Sequence, residues 1–267
     1  MNNLLLLDWD SACFHSESLS LSELIQQMDN RIKDLLTKFN TNYYLMFLTK
    51  GKESFRYKIY PEYKANRKGK IYPKYTSLLK EYCIAEYNAI PCYEIEAEDA
   101  CVLHYNYYKS FTRFNPIICA IDSDLTTIEC EQLYNYRTHK MKSISKEEAY
   151  YNLCKYIMLG QQKDNIPNFR KGFGESKWNN LYNSFKNIPR TNFSLNLTLL
   201  GQVSISYMLG ISKEFCGKSF EGYDSEEGKK RFNINYQLMK ILSNKEDCKD
   251  VGVNYKIYEP CKLNLLF

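Results

Sequence analysis

Apolar residues along the chain fall into two kinds of pattern. Three uninterrupted runs, Leu4 to Leu7, Tyr43 to Leu48 and Pro116 to Ile121, have the length and composition of strands buried on both faces, as in a parallel sheet. Between them lie helix-like stretches, notably Ser22 to Phe39 and Ala97 to Phe111, so strand and helix alternate as in a doubly wound α/β sheet. From Ser145 onward the pattern is helical. The capping-box sequence Ser145-Lys146-Glu147-Glu148 opens a helix running through Tyr156 to Leu159, and further helices are expected at Glu175 to Phe185 and around Asn235 to Leu242. Gln161 to Gly174 and Lys186 to Asn196 read as loops, and no clear pattern marks the residues from Ser243 onward. The chain therefore reads as an α/β domain over residues 1–144 and a helical region with a tail over residues 145–267.

Acidic side chains sit at the ends of these runs. Asp8 and Asp10 flank Trp9 just past the first strand, and Asp122 and Asp124 flank Ser123 just past a later one. Glu96, Glu98 and Asp99 open a predicted helix, where Glu96 and Asp99, three apart, share a face. In open α/β sheets, ligands bind outside the carboxyl ends of the strands. Hard oxygen donors gathered there suit magnesium or manganese. Each group taken singly also fits turn formation or complementation of a helix dipole. Three groups at one sheet edge would repel one another unless cations joined them.

Composition narrows the chemistry further. At 267 residues, with 44% apolar and 25% charged residues, the chain is expected to fold throughout. Leu4 to Leu7 is too short for a signal-peptide core, and nothing approaches the ~20 apolar residues of a membrane span, so a cytoplasmic protein without membrane contact is expected. The ten cysteines are scattered with no C-x-x-C pair, which argues against a zinc ribbon, and three histidines leave little for an imidazole-based centre. The net charge of +5 says little, but residues 50–80 carry ten basic against two acidic side chains. Within this segment Phe55-Arg56-Tyr57-Lys58-Ile59-Tyr60-Pro61-Glu62-Tyr63-Lys64-Ala65-Asn66-Arg67 interleaves cations with aromatics, a composition suited to phosphates and bases. A solvated basic surface is the plainer reading of the same residues.

Taken in order, these motifs resemble the 5′-nuclease superfamily of phage 5′-3′ exonucleases, the exonuclease domain of bacterial polymerase I, and flap endonucleases. The resemblance rests on strand-end Asp8, Phe55-Arg56 to Tyr63-Lys64-Ala65-Asn66-Arg67, Glu96-Ala97-Glu98-Asp99, Asp122-Ser123-Asp124-Leu125, and Gly160-Gln161-Gln162-Lys163-Asp164-Asn165-Ile166-Pro167. It covers roughly residues 4 to 177, and the D-x-D form of the first motif is most like the bacteriophage branch. It implies a PIN-like α/β catalytic domain with a helical arch or clamp around residues 50–80, followed by a helix-three-turn-helix DNA-binding region. It further implies a two-ion magnesium or manganese site held by Asp8, Asp10, Glu96, Glu98, Asp99, Asp122, Asp124 and Asp164, with Glu98 standing where the family usually has Asp. By the same match Asp8, Arg56, Lys64, Glu96 and Asp122 are the expected catalytic residues. Arg56, Lys58, Tyr63, Lys64, Arg67, Lys68 and Lys70 are expected on DNA, together with Gly172, Gly174 and Lys177 of a glycine-rich hairpin whose loop could also hold K+.

The function so implied is hydrolysis of phosphodiesters at 5′ ends, flaps or nicks of DNA, with RNA-DNA primers and replication proteins as further partners in a phage setting. Several positions depart from the family pattern. Gln161 replaces an expected acid of the second ion site, Thr49 replaces a common Asp, Trp9 replaces a common Gly, and Asn168 and Lys171 alter the hairpin. These departures leave open a family member that binds branched or end-containing DNA without cutting it. A PIN-type ribonuclease would share Asp8 and Asp122 but has no reason to carry Lys64-Ala65-Asn66-Arg67 or Asp164-Asn165-Ile166-Pro167.

Overall fold

A computed structural model describes residues 1–14, 18–70, 72–110, 113–169, 172–185 and 226–263. The elements, in order, are β1 (Asn2–Asp8), α1 (Leu21–Lys38), β2 (Tyr43–Thr49), α2 (Phe55–Ile59), α3 (Thr76–Tyr87), β3 (Ile90–Cys92), α4 (Ala97–Lys109), β4 (Phe114–Cys119), β5 (Cys130–Asn135) and β6 (Lys140–Ile144). They continue with α5 (Lys146–Leu159), α6 (Glu175–Phe185), α7 (Glu226–Met239), α8 (Lys245–Asp250) and β7 (Cys261–Lys262).

The sheet runs β3-β2-β1-β4-β5-β6, with β1, β2, β3, β4 and β5 parallel and β6 antiparallel to β5. The short β7 adds to β2 through Tyr43 and Tyr44. Leu4 to Leu7 are almost wholly buried because the central strand is covered on both faces, which is why it is an unbroken apolar run rather than an alternating one. Leu5, Leu7, Tyr44, Met46, Leu48, Ile117 and Cys119 share one core with Leu24, Met28, Ile32, Leu35 and Leu36 of α1 and with Leu79, Cys83 and Tyr87 of α3. On the other face α4 packs across β1, β2 and β4. Because strands to either side of β1 are reached by connections on opposite faces, the order reverses between β1 and β4. Asp8 ends β1, and Asp122 follows β4.

Local chemistry sets the element ends. Ser20 caps α1, accepting from the Glu23 backbone N–H while Glu23 accepts from that of Ser20. The Ser145 hydroxyl accepts from the Glu148 N–H at the start of α5, as expected. β4 ends at Cys119, two residues before the apolar run does, and Ile121 leads into the turn that carries Asp122. α7 starts earlier than its amphipathic stretch suggests and stops at Met239.

The chain separates into two compact units that interleave in sequence, one built from residues 1–55, 69–149 and 241–267 and the other from residues 56–68 and 150–240. The tail thus contributes α8 and β7 to the first unit. Among the described residues, residues 50–80 form no continuous helical arch: the short α2, a 3-10 turn at Ala65–Arg67 and the start of α3 take their place. All nine described cysteines are free, and only Cys261 is less than buried. Among the described residues no helix is long and apolar enough to cross a membrane. Lys171 and the loop Lys186 to Asn196 lie outside the described residues.

Candidate metal centre and basic segment

Asp8 closes β1, and its main chain is tied on both sides. The Trp9 N–H donates to Phe47 O (3.1 Å), and the Tyr136 hydroxyl donates to Asp8 O (3.1 Å). Asp8 is 6% exposed. Burial first, then the charges of Asp10, Asp122 and Glu96, push its pKa up to about 8. Asp122 caps the 3-10 turn Ser123–Thr127, accepting from the Asp124 N–H at 3.0 Å, and this turn carries Asp124 back toward the sheet edge. Carboxylate oxygens of Glu98, Asp122 and Asp124, all half-buried, lie within 4.8 Å of one another.

This donor set consists of oxygen anions alone, partly open to solvent and beside an acid whose ionisation its neighbours oppose. It fits a hard divalent cation, which would offset the mutual repulsion. Glu96, at the start of α4, is buried and adds to the field on Asp8.

Two further acids expected as ligands, Asp99 and Asp10, also hold the backbone around the site. Asp99 is fully buried; one oxygen accepts from the Glu96 N–H and the other from the Leu242 N–H, each at 3.0 Å. The spacing of Glu96 and Asp99 thus reads as a cap at the helix start, and Asp99 also anchors the returning tail. Asp10 accepts from the Thr49 N–H (3.1 and 3.2 Å) and pairs with Lys80 Nζ at 2.5 Å, while the same ammonium donates to Thr49 O at 2.8 Å.

Three supporting residues were not legible as such. Lys80 belongs to the basic run in sequence yet serves here as the partner of Asp10. Thr49, standing where an acid is common, accepts the Ala97 N–H on Oγ1 (2.9 Å) and so fixes the start of α4. Tyr136 gave no signal, because its role depends on the β5–β6 connection folding back onto β1. Trp9 is buried core, its indole N–H on Met28 Sδ (2.8 Å) and its ring against Tyr136.

In the second unit, the two motifs flanking Lys64 and Asp164 are knitted together. Lys64 N–H donates to Asp164 O (2.8 Å), Asn66 Nδ2 to Gln162 O (2.6 Å) and Asn165 Nδ2 to Glu62 O (2.7 Å). The Arg67 guanidinium forms an ion pair with the buried Asp164 carboxylate. Lys64 and Asn165 both occupy the left-handed region, so each turn is fixed by a partner in the other. Gly160, at φ +65°, precedes the Gln161–Ile166 bridge; a Cβ there would lie 2.3 Å from Ile166 O, so only glycine fits.

Arg56 is 1% exposed, its Nε donating to Leu238 O (2.9 Å) and Nη2 to Lys240 O (3.3 Å). Tyr63 is buried edge-on against Tyr57, and Lys64 Nζ lies 4.8 Å from the Tyr63 ring centroid. Lys58 and Lys68 are exposed, as is Lys70 in the first unit. In the hairpin, Gly172 has φ +76° and its carbonyl accepts from Lys177 Nζ (2.7 Å), while Gly174 O accepts from the Trp178 N–H (3.0 Å).

No protein-family model matches the chain, and no curated protein sequence matches it. Solved structures do. A bacteriophage T5 5′-exonuclease with divalent zinc ions bound superposes with a TM-score of 0.65 at 14% identity, covering 94% of this chain and 97% of that one. The bacteriophage T5 D15 flap endonuclease, in a pseudo-enzyme–product complex with DNA and metal ions, gives 0.62 at 15% identity over 93% and 92%. The chain has the T5 exonuclease fold. In that PIN-like α/β fold, the mostly parallel sheet presents the Glu98–Asp122–Asp124 cluster and Asp8 at its carboxyl edge.

Proposed function

We propose that this protein is a divalent-metal-dependent 5′ nuclease of the 5′-nuclease superfamily, hydrolysing phosphodiesters at 5′ ends, flaps or nicks of DNA. The observation that carries the reading is the convergence of Glu98, Asp122 and Asp124 beside Asp8 at the switch point of the sheet. A magnesium or manganese ion held there would polarise the phosphoryl oxygens and lower the pKa of a water molecule.

The chain's own groups perform the remaining tasks. Glu98, Asp122 and Asp124 provide the ligand oxygens, with Asp8 and Glu96 completing the anionic field that a second ion would share. Asp99 and Thr49 hold the start of α4 so that Glu96 and Glu98 are presented together. Lys80 partners Asp10 and limits the charge the site must bear without cations. Exposed Lys58 and Lys68, with Lys64, are assigned to a nucleic-acid backbone in the second unit and Lys70 in the first, while buried Tyr63 and the Arg67–Asp164 pair brace the segment that carries the lysines. Arg56, by its burial, shapes that segment. The hairpin of Gly172, Gly174 and Lys177 is assigned to the duplex, and K+ to its loop. A phage replication setting in the host cytoplasm, with RNA-DNA primers among the substrates, follows from the resemblance.

A DNA-binding protein without cleavage is the second reading, favoured by Gln161 and Thr49 at positions where acids are common. A 5′-labelled flap duplex and a matched nicked duplex, titrated with magnesium and manganese beside Asp122→Ala, separate the two. Short labelled products from the wild type alone support the nuclease; equal binding and no cutting by both proteins support the binder.

A further inference from the structure

Asp8, Asp10, Glu96, Glu98, Asp122 and Asp124 bring their charges to one edge of the first unit, where Asp10 is the strongest of the charged neighbours acting on Asp8. One cation is already there. Lys80 Nζ is 2.5 Å from Asp10 Oδ1 and donates to Thr49 O at 2.8 Å. Its side chain is only 17% exposed, so the ammonium sits on a covered stem. α3 fixes this placement: Leu79 and Cys83, before and after Lys80 in the helix, belong to the core, and the helix packs on the 3-10 turn that begins at Asp10. Lys50, next to Thr49 in the chain, is paired with Glu81 instead.

The acids leave a second divalent ion fewer oxygens than the sequence promises. Among the described residues one group of three, Glu98, Asp122 and Asp124, has its oxygens within 4.8 Å of one another, and Asp10 is outside it. Both Asp10 oxygens accept from the Thr49 N–H, and Oδ1 also takes the ammonium. Both Asp99 oxygens accept backbone N–H groups, those of Glu96 and Leu242. Thr49 is neutral where an acid is common. An ion drawing on Asp10 would have to displace Lys80 or lie against its charge, and two cations on one carboxylate repel. In two-ion phosphoryl chemistry the second ion offsets negative charge beside the first. A lysine ammonium is a compact point charge that can supply that offset without a coordination shell.

We propose that this centre takes one divalent ion, on Glu98, Asp122 and Asp124, and that the Lys80 ammonium on Asp10 occupies the electrostatic place of the second. The anionic field of Asp8 and Glu96 is then shared between the ion and the ammonium. Lys80 acts through Asp10 and is a positioning residue. A phosphodiester as substrate rests on the nuclease reading; the ion count does not.

The test counts manganese on the whole protein, without DNA, by isothermal titration calorimetry and electron paramagnetic resonance. Wild type, Lys80→Met, Lys80→Arg and Asp10→Asn/Lys80→Met would be compared, with folding followed by circular dichroism. Wild type is expected to bind one ion and give the hyperfine pattern of an isolated manganese. Lys80→Met, which keeps the length and removes the charge, should bind a second ion about tenfold or more tighter than wild type can, with the spectrum of a spin-coupled pair. Lys80→Arg should stay at one ion, and the double variant should return to one, since Asp10 is the ligand that Lys80→Met releases. A lysine that merely braces the fold would lower the melting temperature when replaced by Met and leave the count at one, which overturns the proposal. Two coupled ions on the wild type overturn it without any variant, and cleavage of the labelled flap by that protein would keep the nuclease. A lysine-dependent count on a protein that cleaves nothing keeps Lys80 as the resident cation and discards the nuclease. Absence of bound manganese overturns both.

Discussion

Replacing Asp8 by Asn should stabilise the metal-free protein while removing the cleavage proposed above. Burial and the charges around it raise the Asp8 carboxyl from 3.8 to about 8. Ionising it in the folded chain at pH 8 therefore opposes folding by at most roughly 5 kcal/mol, at about 1.4 kcal/mol per pH unit. An amide removes that charge but keeps a buried polar group to be solvated, so a net gain of about 2–3 kcal/mol is expected. For a chain of this size, that corresponds to a rise in Tm of roughly 5–10 °C. The sign follows from linkage. The folded-state pKa lies above the unfolded one, so the wild type is favoured below pH 3.8 and loses that advantage as the pH rises through 8. The gain from Asn is consequently small near pH 4 and full above pH 8. The assay is thermal unfolding in EDTA and in millimolar calcium, across pH 4 to 9. Calcium should raise the wild-type Tm at pH 8 and raise that of Asp8→Asn by less than half as much. No gain in EDTA at pH 8, or the same calcium effect on both proteins, would refute the reasoning.

Four further outcomes are expected. Asp122→Ala should reduce magnesium-supported cleavage at least a thousandfold while leaving DNA binding in calcium within a few fold, measured by single-turnover kinetics and fluorescence anisotropy. His104 is wholly buried and neutral, with Nδ1 donating to Ala100 O and Nε2 accepting from the Tyr258 N–H, and burial lowers its pKa to about 4. Its contribution is present above pH 6.5 and lost as the pH falls through 4, up to about 3 kcal/mol, so urea unfolding at pH 7 and 4.5 should show a flatter dependence in His104→Gln. Arg67→Ala and Asp164→Ala should each destabilise by about 1–3 kcal/mol, and the double variant by less than their sum; additive losses in a double-mutant cycle would dissolve the pair. Gly160→Ala should cost more than about 2 kcal/mol in the second unit, from the positive φ and the contact with Ile166 O, and a variant as stable as wild type in urea would contradict the turn geometry.

The central strands and α1, α4 and α5 were legible because burial on two faces or one leaves its own period in the residues. The strand-end acids were legible because a carboxyl edge is where such a sheet places its ligands. What escaped was set by partners distant in sequence. β3 contains Pro91 and is three residues long, so it exists only through its pairing with Phe47–Thr49. β6 is mostly exposed and offers no apolar alternation. The capping and tail-anchoring bonds of Asp99 were not legible, because an i, i+3 relation to Glu96 serves capping and metal binding equally well and Leu242 is 143 residues away. The partners of Arg56 and Asp164 escaped for a similar reason: charge is visible in a sequence, but the backbone carbonyls and the arginine that engage it are not.

The tail has a consequence for the order in which the protein can mature. Residues after 240 return to the first unit, where the Leu242 N–H meets Asp99 and Cys261 extends β2, yet they are synthesised after the whole of the second unit. On the ribosome, the carboxylate-bearing unit therefore waits, incompletely braced at α4, until a segment translated more than a hundred residues after α4 arrives. The bracing of α4 is thus completed by the part of the first unit that is translated last.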